Sequence, residues 1–146
     1  MESKLNQAFN FPAVELDLSS NQLNGNLPDA IWGLTNLQRL LLDFNQFSGA
    51  LSPNAGTLSL LRYLSVEQSG FSGPIPPSLG SLTLLESASL QWNQLTGPMP
   101  DALCNVPSLK TLQADCDRGG KVQCRCCTLC CSQPGRPCRV PKGLRS

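Results

Sequence analysis

Leucines and other apolar residues recur along the chain with a constant 24-residue period. One column consists of Leu16, Leu40, Leu64, Ala88 and Leu112, and a second consists of Leu18, Leu42, Val66, Leu90 and Ala114. Each apolar-x-apolar pair has the period of a β-strand with two side chains turned inward. Self-similarity at this length predicts a repeat solenoid. We therefore predict an α/β repeat solenoid of five coils, a right-handed superhelix whose strands form a parallel sheet on the concave side.

Two polar columns keep the same register and indicate how the chain turns between strands. Asparagine-type positions are Asn21, Asn45, Ser69 and Asn93, and glycine positions are Gly25, Gly49, Gly73 and Gly97. A buried asparagine can bond backbone groups of its own and the next coil, so we expect a hydrogen-bonded ladder through the stack. The ladder should weaken where Ser69 and Asp117 replace asparagine. The glycines suit a turn with positive φ.

The sequence around these columns carries a specific resemblance. Residues 34–49 read LTNLQRLLLDFNQFSG and residues 71–82 read FSGPIPPSLGSL. Over roughly residues 13–115 the chain resembles the plant-type leucine-rich repeat, whose S-G-x-I-P element forms a short second strand. Repeat two departs from it, with Leu51-Ser52 in place of Ile-Pro. The resemblance implies relatives among ectodomains of receptor kinases, receptor-like proteins and secreted inhibitors of cell-wall-degrading enzymes, which share binding as their activity.

Cysteine appears only after residue 103. The eight cysteines are Cys104, Cys116, Cys124, Cys126, Cys127, Cys130, Cys131 and Cys138. An even number directly after the last coil predicts a disulfide-stapled cap, although the spacing does not determine the connectivity. We expect adjacent cysteines such as Cys126 and Cys127 to pair outward. The alternative is a zinc site, because Cys127-x-x-Cys130 has zinc-like spacing.

The two ends of the chain differ in charge and in how they are closed. Residues 1–116 hold nine acids and four bases, whereas residues 117–146 hold one acid and seven bases. The basic end is either a solvated tail or a contact for an anionic surface. We assign residues 13–115 to the repeats and residues 116–146 to a cysteine-rich basic cap and tail. Residues 1–12 form an N-terminal cap, through Phe9 and Phe11, or a truncated upstream segment.

The predicted disulfides also bear on localisation. No segment is long and apolar enough to span a membrane, and residues 1–4 lack the apolar run of a signal peptide. We interpret the chain as extracellular or cell-surface, either secreted or an ectodomain fragment, with a cytoplasmic protein as the alternative. Membrane anchoring would come from segments absent from this chain. The C-terminal string at residues 109–131 resembles the ends of leucine-rich-repeat proteins of diatoms and related stramenopile algae.

Outward-facing positions of the predicted concave sheet form the candidate ligand-binding surface. They are Arg39, Asp43, Phe44, Arg62, Tyr63, Glu67, Gln91 and Trp92. Aromatic anchors ringed by polar groups are typical of contact hot spots, although Phe44 and Trp92 could instead pack over the coil edge. We expect Tyr63 to lie near Phe44 and Trp92. Asp43, Glu67 and Asp115 form an acidic stripe beside them, with the two arginines across it. Paired carboxylates can perform glycosidase chemistry, but an open sheet would not exclude water from them.

These observations favour recognition over catalysis. Histidine is absent, which removes the most common general base and metal ligand. We predict no catalytic residue, no cofactor and no metal, and a partner that is a protein or peptide, or else a glycan, but not a nucleic acid. The alternatives are a structural scaffold without a diffusible ligand and an intracellular zinc-capped adaptor.

Overall fold

The computed structural model describes residues 13–117 and 120–141 of the chain. Its strands are β1 (Glu15–Asp17), β2 (Asn24–Asn26), β3 (Arg39–Leu41), β4 (Gln46–Ser48), β5 (Tyr63–Ser65), β6 (Ser72–Pro74), β7 (Ser87–Ser89), β8 (Gln94–Pro98), β9 (Thr111–Ala114), β10 (Val122–Gln123) and β11 (Leu129–Cys130). Strands β1, β3, β5, β7, β9 and β11 form one parallel sheet in that order. The predicted leucine-rich-repeat solenoid is confirmed.

The sequence repeat sets the register of this concave sheet. Leu40 pairs with Leu16 on one side and with Leu64 on the other, and Ala88 pairs with Leu112. Because every coil places its apolar column at the same height, these side chains stack into one continuous core. Leu40 and Ala88 are fully buried.

A second row of short strands follows the glycine column, as the resemblance implied. Strand β2 pairs with β4, and β8 lies between β6 and β10. The glycines lie within these strands, or directly after one in the case of Gly49, and φ is between 76° and 83° at Gly25, Gly49, Gly73 and Gly97. This conformation is available to glycine without a Cβ penalty, which explains why glycine recurs there.

The return side of each coil is a single helical turn. The 3₁₀ helices are Asp29–Gly33, Pro53–Thr57 and Pro77–Ser81, and the α-helix is Asp101–Cys104. Glycine lets these turns approach closely, because a Cβ on Gly56 would lie 2.5 Å from the carbonyl oxygen of Ser78. Trp32 occupies the equivalent position in the first coil and is 5% exposed, which agrees with a packing role.

The asparagine column forms a buried ladder between coils. The Asn45 Nδ2 donates to the carbonyl of Leu42 in its own coil at 3.0 Å and to that of Leu18 in the preceding coil at 2.9 Å. Its Oδ1 accepts from the amide of Leu23 at 3.1 Å. Asn93 makes the equivalent bonds two coils further on. The ladder therefore reaches back to the preceding coil, not forward to the next as we expected.

Ser69 maintains part of this ladder with a shorter side chain. Its hydroxyl donates to the carbonyls of Leu42 at 2.5 Å and Glu67 at 3.0 Å. The Asn45 side chain also accepts a hydrogen bond from the Leu23 amide. The Ser69 side chain accepts no equivalent bond from a backbone amide in the described part of the chain. This agrees with the expected weakening at that coil.

The cysteine-rich segment differs from a simple plug, because it adds a sixth, shortened coil. Val122 pairs with Gly97 in the outer row, and Cys130 pairs with Ala114 in the concave sheet. In the outer row, the paired residues Gly97 and Val122 are separated by nearly one repeat length. In the concave sheet, the paired residues Ala114 and Cys130 are much closer in sequence. The return segment between Val122 and Cys130 is correspondingly short.

Disulfides hold this short coil in place. They join Cys104 to Cys126, Cys116 to Cys130, Cys124 to Cys127 and Cys131 to Cys138. Each adjacent pair of cysteines bonds outward, as predicted, and the cysteines of the proposed zinc spacing lie in different disulfides. Cys127 and Cys131 are fully buried, so cystine sulfurs take the place that leucine side chains have in the repeats.

The first coil is less buried than the coils that follow. Leu16 and Leu18 are only partly buried, whereas their counterparts Leu40 and Leu42 are fully buried. The predicted cover by Phe9 and Phe11 lies outside the described residues, and the domain limits at residues 12 and 115 remain predictions. No helix in the described ranges has the length and apolar character needed to cross a membrane.

The ladder yields a paired test of stability. We expect Asn45→Ala to lower the free energy of unfolding by about 2–3 kcal/mol, because it removes the three hydrogen bonds that join this buried side chain to Leu18, Leu23 and Leu42. Asn21 is exposed and, within the described residues, bonds only its own coil, so Asn21→Ala should cost less than about 1 kcal/mol. Urea unfolding measures both, and equal losses would show that the ladder does not tie the coils together.

Candidate ligand-binding surface

The predicted surface residues fall into two groups on the concave sheet. The exit surface, where the chain leaves the strands, consists of Asp43, Phe44, Glu67, Gln91 and Trp92, and the entry surface consists of Arg39, Arg62 and Tyr63. The two borders are separated by the extended chain that runs from Arg39 to Phe44, which amounts to roughly 16 Å. We expected Tyr63 to lie near the other aromatic residues, but strand direction places it at the opposite border.

Phe44 is the most accessible aromatic residue of the exit surface. Its side chain is 46% exposed, and its backbone is left-handed, with φ 54°. The amide of Phe44 donates to the carbonyl of Glu67 in the next coil at 2.9 Å. A left-handed conformation costs a non-glycine residue roughly 1–2 kcal/mol, so the bonds between coils must hold it in place. Phe44 is therefore presented to solvent from a rigid, preorganised backbone.

The same conformation recurs at the equivalent position of the other coils. The residues are Ser20, Gln68 and Trp92, with φ of 56°, 46° and 60°. Because these four positions share a backbone conformation but no residue type, leucine spacing alone could not reveal it. The conformation directs one variable side chain per coil to the same border of the sheet.

Trp92 has a different environment from Phe44. It is half-buried and lines a cavity of about 330 Å³ with Asp115, Lys121 and Ser132, which belong to the last coil and the cap. Its indole Nε1 is buried and makes no hydrogen bond within the described part of the chain. Trp92 thus joins the concave sheet to the cap, which matches the packing alternative more closely than Phe44 does.

Two carboxylates lie beside Phe44 and are linked to each other through the sheet. Asp43 accepts from the hydroxyl of Ser65 and, at 3.1 Å, from the amide of Glu67. The Gln91 Nε2 donates to Glu67 at 2.8 Å. Burial, and secondarily the charge of Asp43, raises the pKa of Glu67 above its ordinary value. This part of the exit surface therefore favours a cation or a hydrogen-bond donor from a ligand.

Gln91 and Asp115 serve the scaffold. Gln91 is only 3% exposed, so it supports Glu67 from below the surface. Asp115 accepts from the amides of Trp92 at 2.9 Å and Asn93 at 3.1 Å, and burial, opposed by these bonds, raises its pKa. The acidic stripe predicted from the sequence is thus reduced to Asp43 and Glu67 as accessible charges.

On the entry surface, Arg39 joins two neighbouring coils. Its Nε lies 3.0 Å from a carboxylate oxygen of Glu15, and its guanidinium carbon lies 5.2 Å from the centre of the Tyr63 ring. A cation over an aromatic face is attracted by the ring quadrupole. Tyr63 is 36% exposed and therefore offers its remaining surface to solvent.

Arg62 belongs to a second coil-to-coil pair. Glu86 accepts from Arg62 at 2.8 Å and from Lys110 at 2.7 Å. The hydrogen bonds from Lys110 and then Arg62 lower the pKa of Glu86. Both arginines of the entry surface are therefore neutralised by a carboxylate of a neighbouring coil.

The cap also brings sulfur atoms together. The Sγ atoms of Cys116, Cys124 and Cys127 lie within 4.8 Å of one another. Each of the three is bonded to another sulfur, so none presents the thiolate that a zinc site requires. In this state the cluster stabilises the last coil.

Comparison with known proteins agrees with the repeat. The sequence pattern described as Leucine Rich Repeat matches residues 14–34 and 60–82. No curated protein sequence matches the chain.

Solved structures share the fold. The Arabidopsis receptor kinase HAESA ectodomain, in complex with an IDA peptide hormone, is 35% identical with a TM-score of 0.63, over 65% of this chain and 16% of that one. The plant peptide hormone receptor RGFR1 in complex with RGF2 is 28% identical with a TM-score of 0.67, over 75% and 17%. A plant ice-binding protein is 27% identical with a TM-score of 0.63, over 76% and 34%. The chain thus spans a small part of the receptors that it resembles.

The repeat, the fold and these similarities support a plant-type leucine-rich-repeat protein with a cysteine-rich C-terminal cap. Receptor structures that contain peptide hormones are among the similar structures. The ice-binding protein shows that the same fold presents surfaces to other ligands, so the surface itself must decide the ligand.

The raised pKa of Glu67 predicts an unusual pH dependence. The folded protein binds this proton more tightly than the unfolded chain, so charged Glu67 opposes folding at pH 7, and the opposition fades as pH falls through the raised pKa. We expect Glu67→Gln to raise the thermal midpoint at pH 7 and to lose this advantage in acid.

Glu86→Gln is the matched control with the opposite sign. The pKa of Glu86 is lowered, so its stabilising effect is present above its unfolded pKa and disappears as pH falls through the lowered value. Midpoints measured by calorimetry should move down at pH 7 for this variant. A lower midpoint for Glu67→Gln at pH 7 would contradict the interpretation of Glu67.

Proposed function

We propose that this chain is a recognition module that binds an extended peptide, or an exposed segment of a protein, across the exit surface of its concave sheet. The observation that carries the proposal is Phe44, a solvent-exposed aromatic ring on a left-handed backbone, beside Asp43 and Glu67. An aromatic anchor beside carboxylates that form no ion pair within the described part of the chain has the composition of a binding hot spot.

The geometry of the sheet favours a ligand of particular chemistry. An apolar side chain would cover Phe44, and a lysine or arginine one or two residues away would reach Asp43 and Glu67. A cation there would offset the repulsion and the loss of hydration that raise the pKa of Glu67. Neighbouring strands lie about 4.8 Å apart, so a peptide that crosses them would place about three residues over two coils.

The similar receptors support a peptide ligand without specifying it. The HAESA and RGFR1 structures contain peptide hormones, and the chain corresponds to 16% and 17% of those proteins. Four disulfides and receptor ectodomains among the similar structures favour an extracellular or cell-surface location. The resemblance of the C-terminal string to algal proteins remains a prediction, as does membrane anchoring through other segments.

Selection from a phage-displayed library of random peptides tests this function. Peptides captured by the disulfide-intact chain should combine an aromatic or aliphatic residue with a nearby lysine or arginine. We expect Phe44→Ala to weaken the selected peptides by ~10-fold or more, as for an anchor in a hot spot.

Leu60→Ala is the matched control, because Leu60 is 39% exposed but lies outside the concave sheet. It should leave the affinity unchanged. Peptides that bind Phe44→Ala as tightly as the parent chain, or that lose as much affinity with Leu60→Ala, would overturn the assignment of the exit surface.

A further inference from the structure

The cations of the repeats are already neutralised by neighbouring coils. Arg39 pairs with Glu15, and both Arg62 and Lys110 pair with Glu86. These pairs follow the register of the repeat, so each belongs to the scaffold of the solenoid. The repeats therefore offer little positive charge to a partner.

The cap has the opposite character. Lys121, Arg136 and Arg139 are exposed and form no ion pair with any residue in the described ranges 13–117 and 120–141. Arg125 pairs with Asp101, but the two side chains are 84% and 71% exposed, and such a pair is easily replaced by another anion. In the described part of the cap, residues 116–117 and 120–141, four cations stand against one carboxylate, Asp117, so positive charge is in excess there.

Two of these cap cations, Lys121 and Arg139, line cavities on either side of one turn of the chain. Arg139 lines a cavity of about 630 Å³ together with Asp117 and Val140. Lys121 lines the cavity of about 330 Å³ that also contains Trp92. The first cavity includes Asp117 and the second includes Asp115, which is close to it in sequence, so the cavities flank the same turn.

The backbone beneath the first of these cations is firmly held. The amide and the carbonyl of Arg139 each form a 2.7 Å hydrogen bond with Cys130, and the disulfide from Cys131 to Cys138 closes the loop next to it. Because Cys130 lies in the concave sheet, the backbone of Arg139 is fixed relative to the whole solenoid. Binding of a carboxylate to Arg139 therefore needs to order only its side chain, whose planar guanidinium matches the carboxylate geometry.

We propose that the cap, together with the neighbouring Trp92 of the exit surface, is a second binding surface for a carboxylate-bearing acidic polysaccharide, distinct from the peptide site at Phe44, Asp43 and Glu67. Lys121, Arg136 and Arg139 would bind carboxylates along the polymer, and the ring of Trp92 would contact a sugar. The choice of polymer rests on the extracellular location proposed above, where acidic polysaccharides and not nucleic acids are the abundant polyanions. A lipid surface fits less well, because Val140 is the only exposed large hydrophobic side chain in the described part of the cap.

Binding to polygalacturonate, measured by calorimetry with the disulfide-intact chain, tests the proposal. The parent chain should bind this uronic acid polymer, bind an uncharged glucan much less, and lose affinity as salt increases. The triple variant Lys121→Gln, Arg136→Gln and Arg139→Gln should weaken binding on the order of 100-fold, since each cation near a polyanion contributes several-fold.

The matched control is Arg39→Gln, Arg62→Gln and Lys110→Gln, which removes the same charge from the repeats. It should change the affinity by less than about threefold, because these cations are already paired. Mass measurement of intact disulfides and the thermal midpoint confirm that both variants are folded. No binding by the parent chain, or equal losses in the two triple variants, would overturn the proposal, as would tighter binding to phosphatidylserine vesicles or duplex DNA.

Discussion

Every coil of this protein depends on the next for its backbone hydrogen bonds. The concave strands of the repeats have three or four residues, too few to be stable alone, and their amides bond to carbonyls of the adjacent coil. The Asn45 side chain extends the same dependence into the core, where it joins Leu42 to Leu18. The apolar columns stack because this bonding fixes the register.

The same constraint shapes the surface. The bond from Phe44 to Glu67 across two coils holds a left-handed backbone that an isolated chain would avoid. In four coils the side chain at that position projects from the exit border, and it differs from coil to coil: Ser20, Phe44, Gln68 and Trp92. A rigid scaffold with one variable position per coil is suited to recognition, because binding need not order the contact residues first.

The core was predictable from the sequence because leucine spacing and strand period reflect the same geometry. The ion pairs were not predictable from the sequence. Arg39 and Arg62 each pair with a glutamate one full repeat away, and the sequence offered several possible partners for each. Strand direction separated Tyr63 from Phe44, which a list of outward positions does not reveal. The sixth coil was missed because cystines replace leucines there and the repeat length changes.

The cap continues the solenoid instead of merely covering its end. In the structure the amides of Thr128 and Cys131 donate to the carbonyls of Leu112 and Ala114 in the adjacent coil at 2.9 Å, and the amide of Leu42 likewise donates to the carbonyl of Ser65 in the coil next to it at 2.8 Å. Hydrogen exchange of the oxidised protein tests this directly. We expect the Thr128 and Cys131 amides to be protected to the same order as that of Leu42 and to lose protection first when the disulfides are reduced. Rapid exchange of both cap amides in the oxidised protein, while the repeats stay protected, would contradict it.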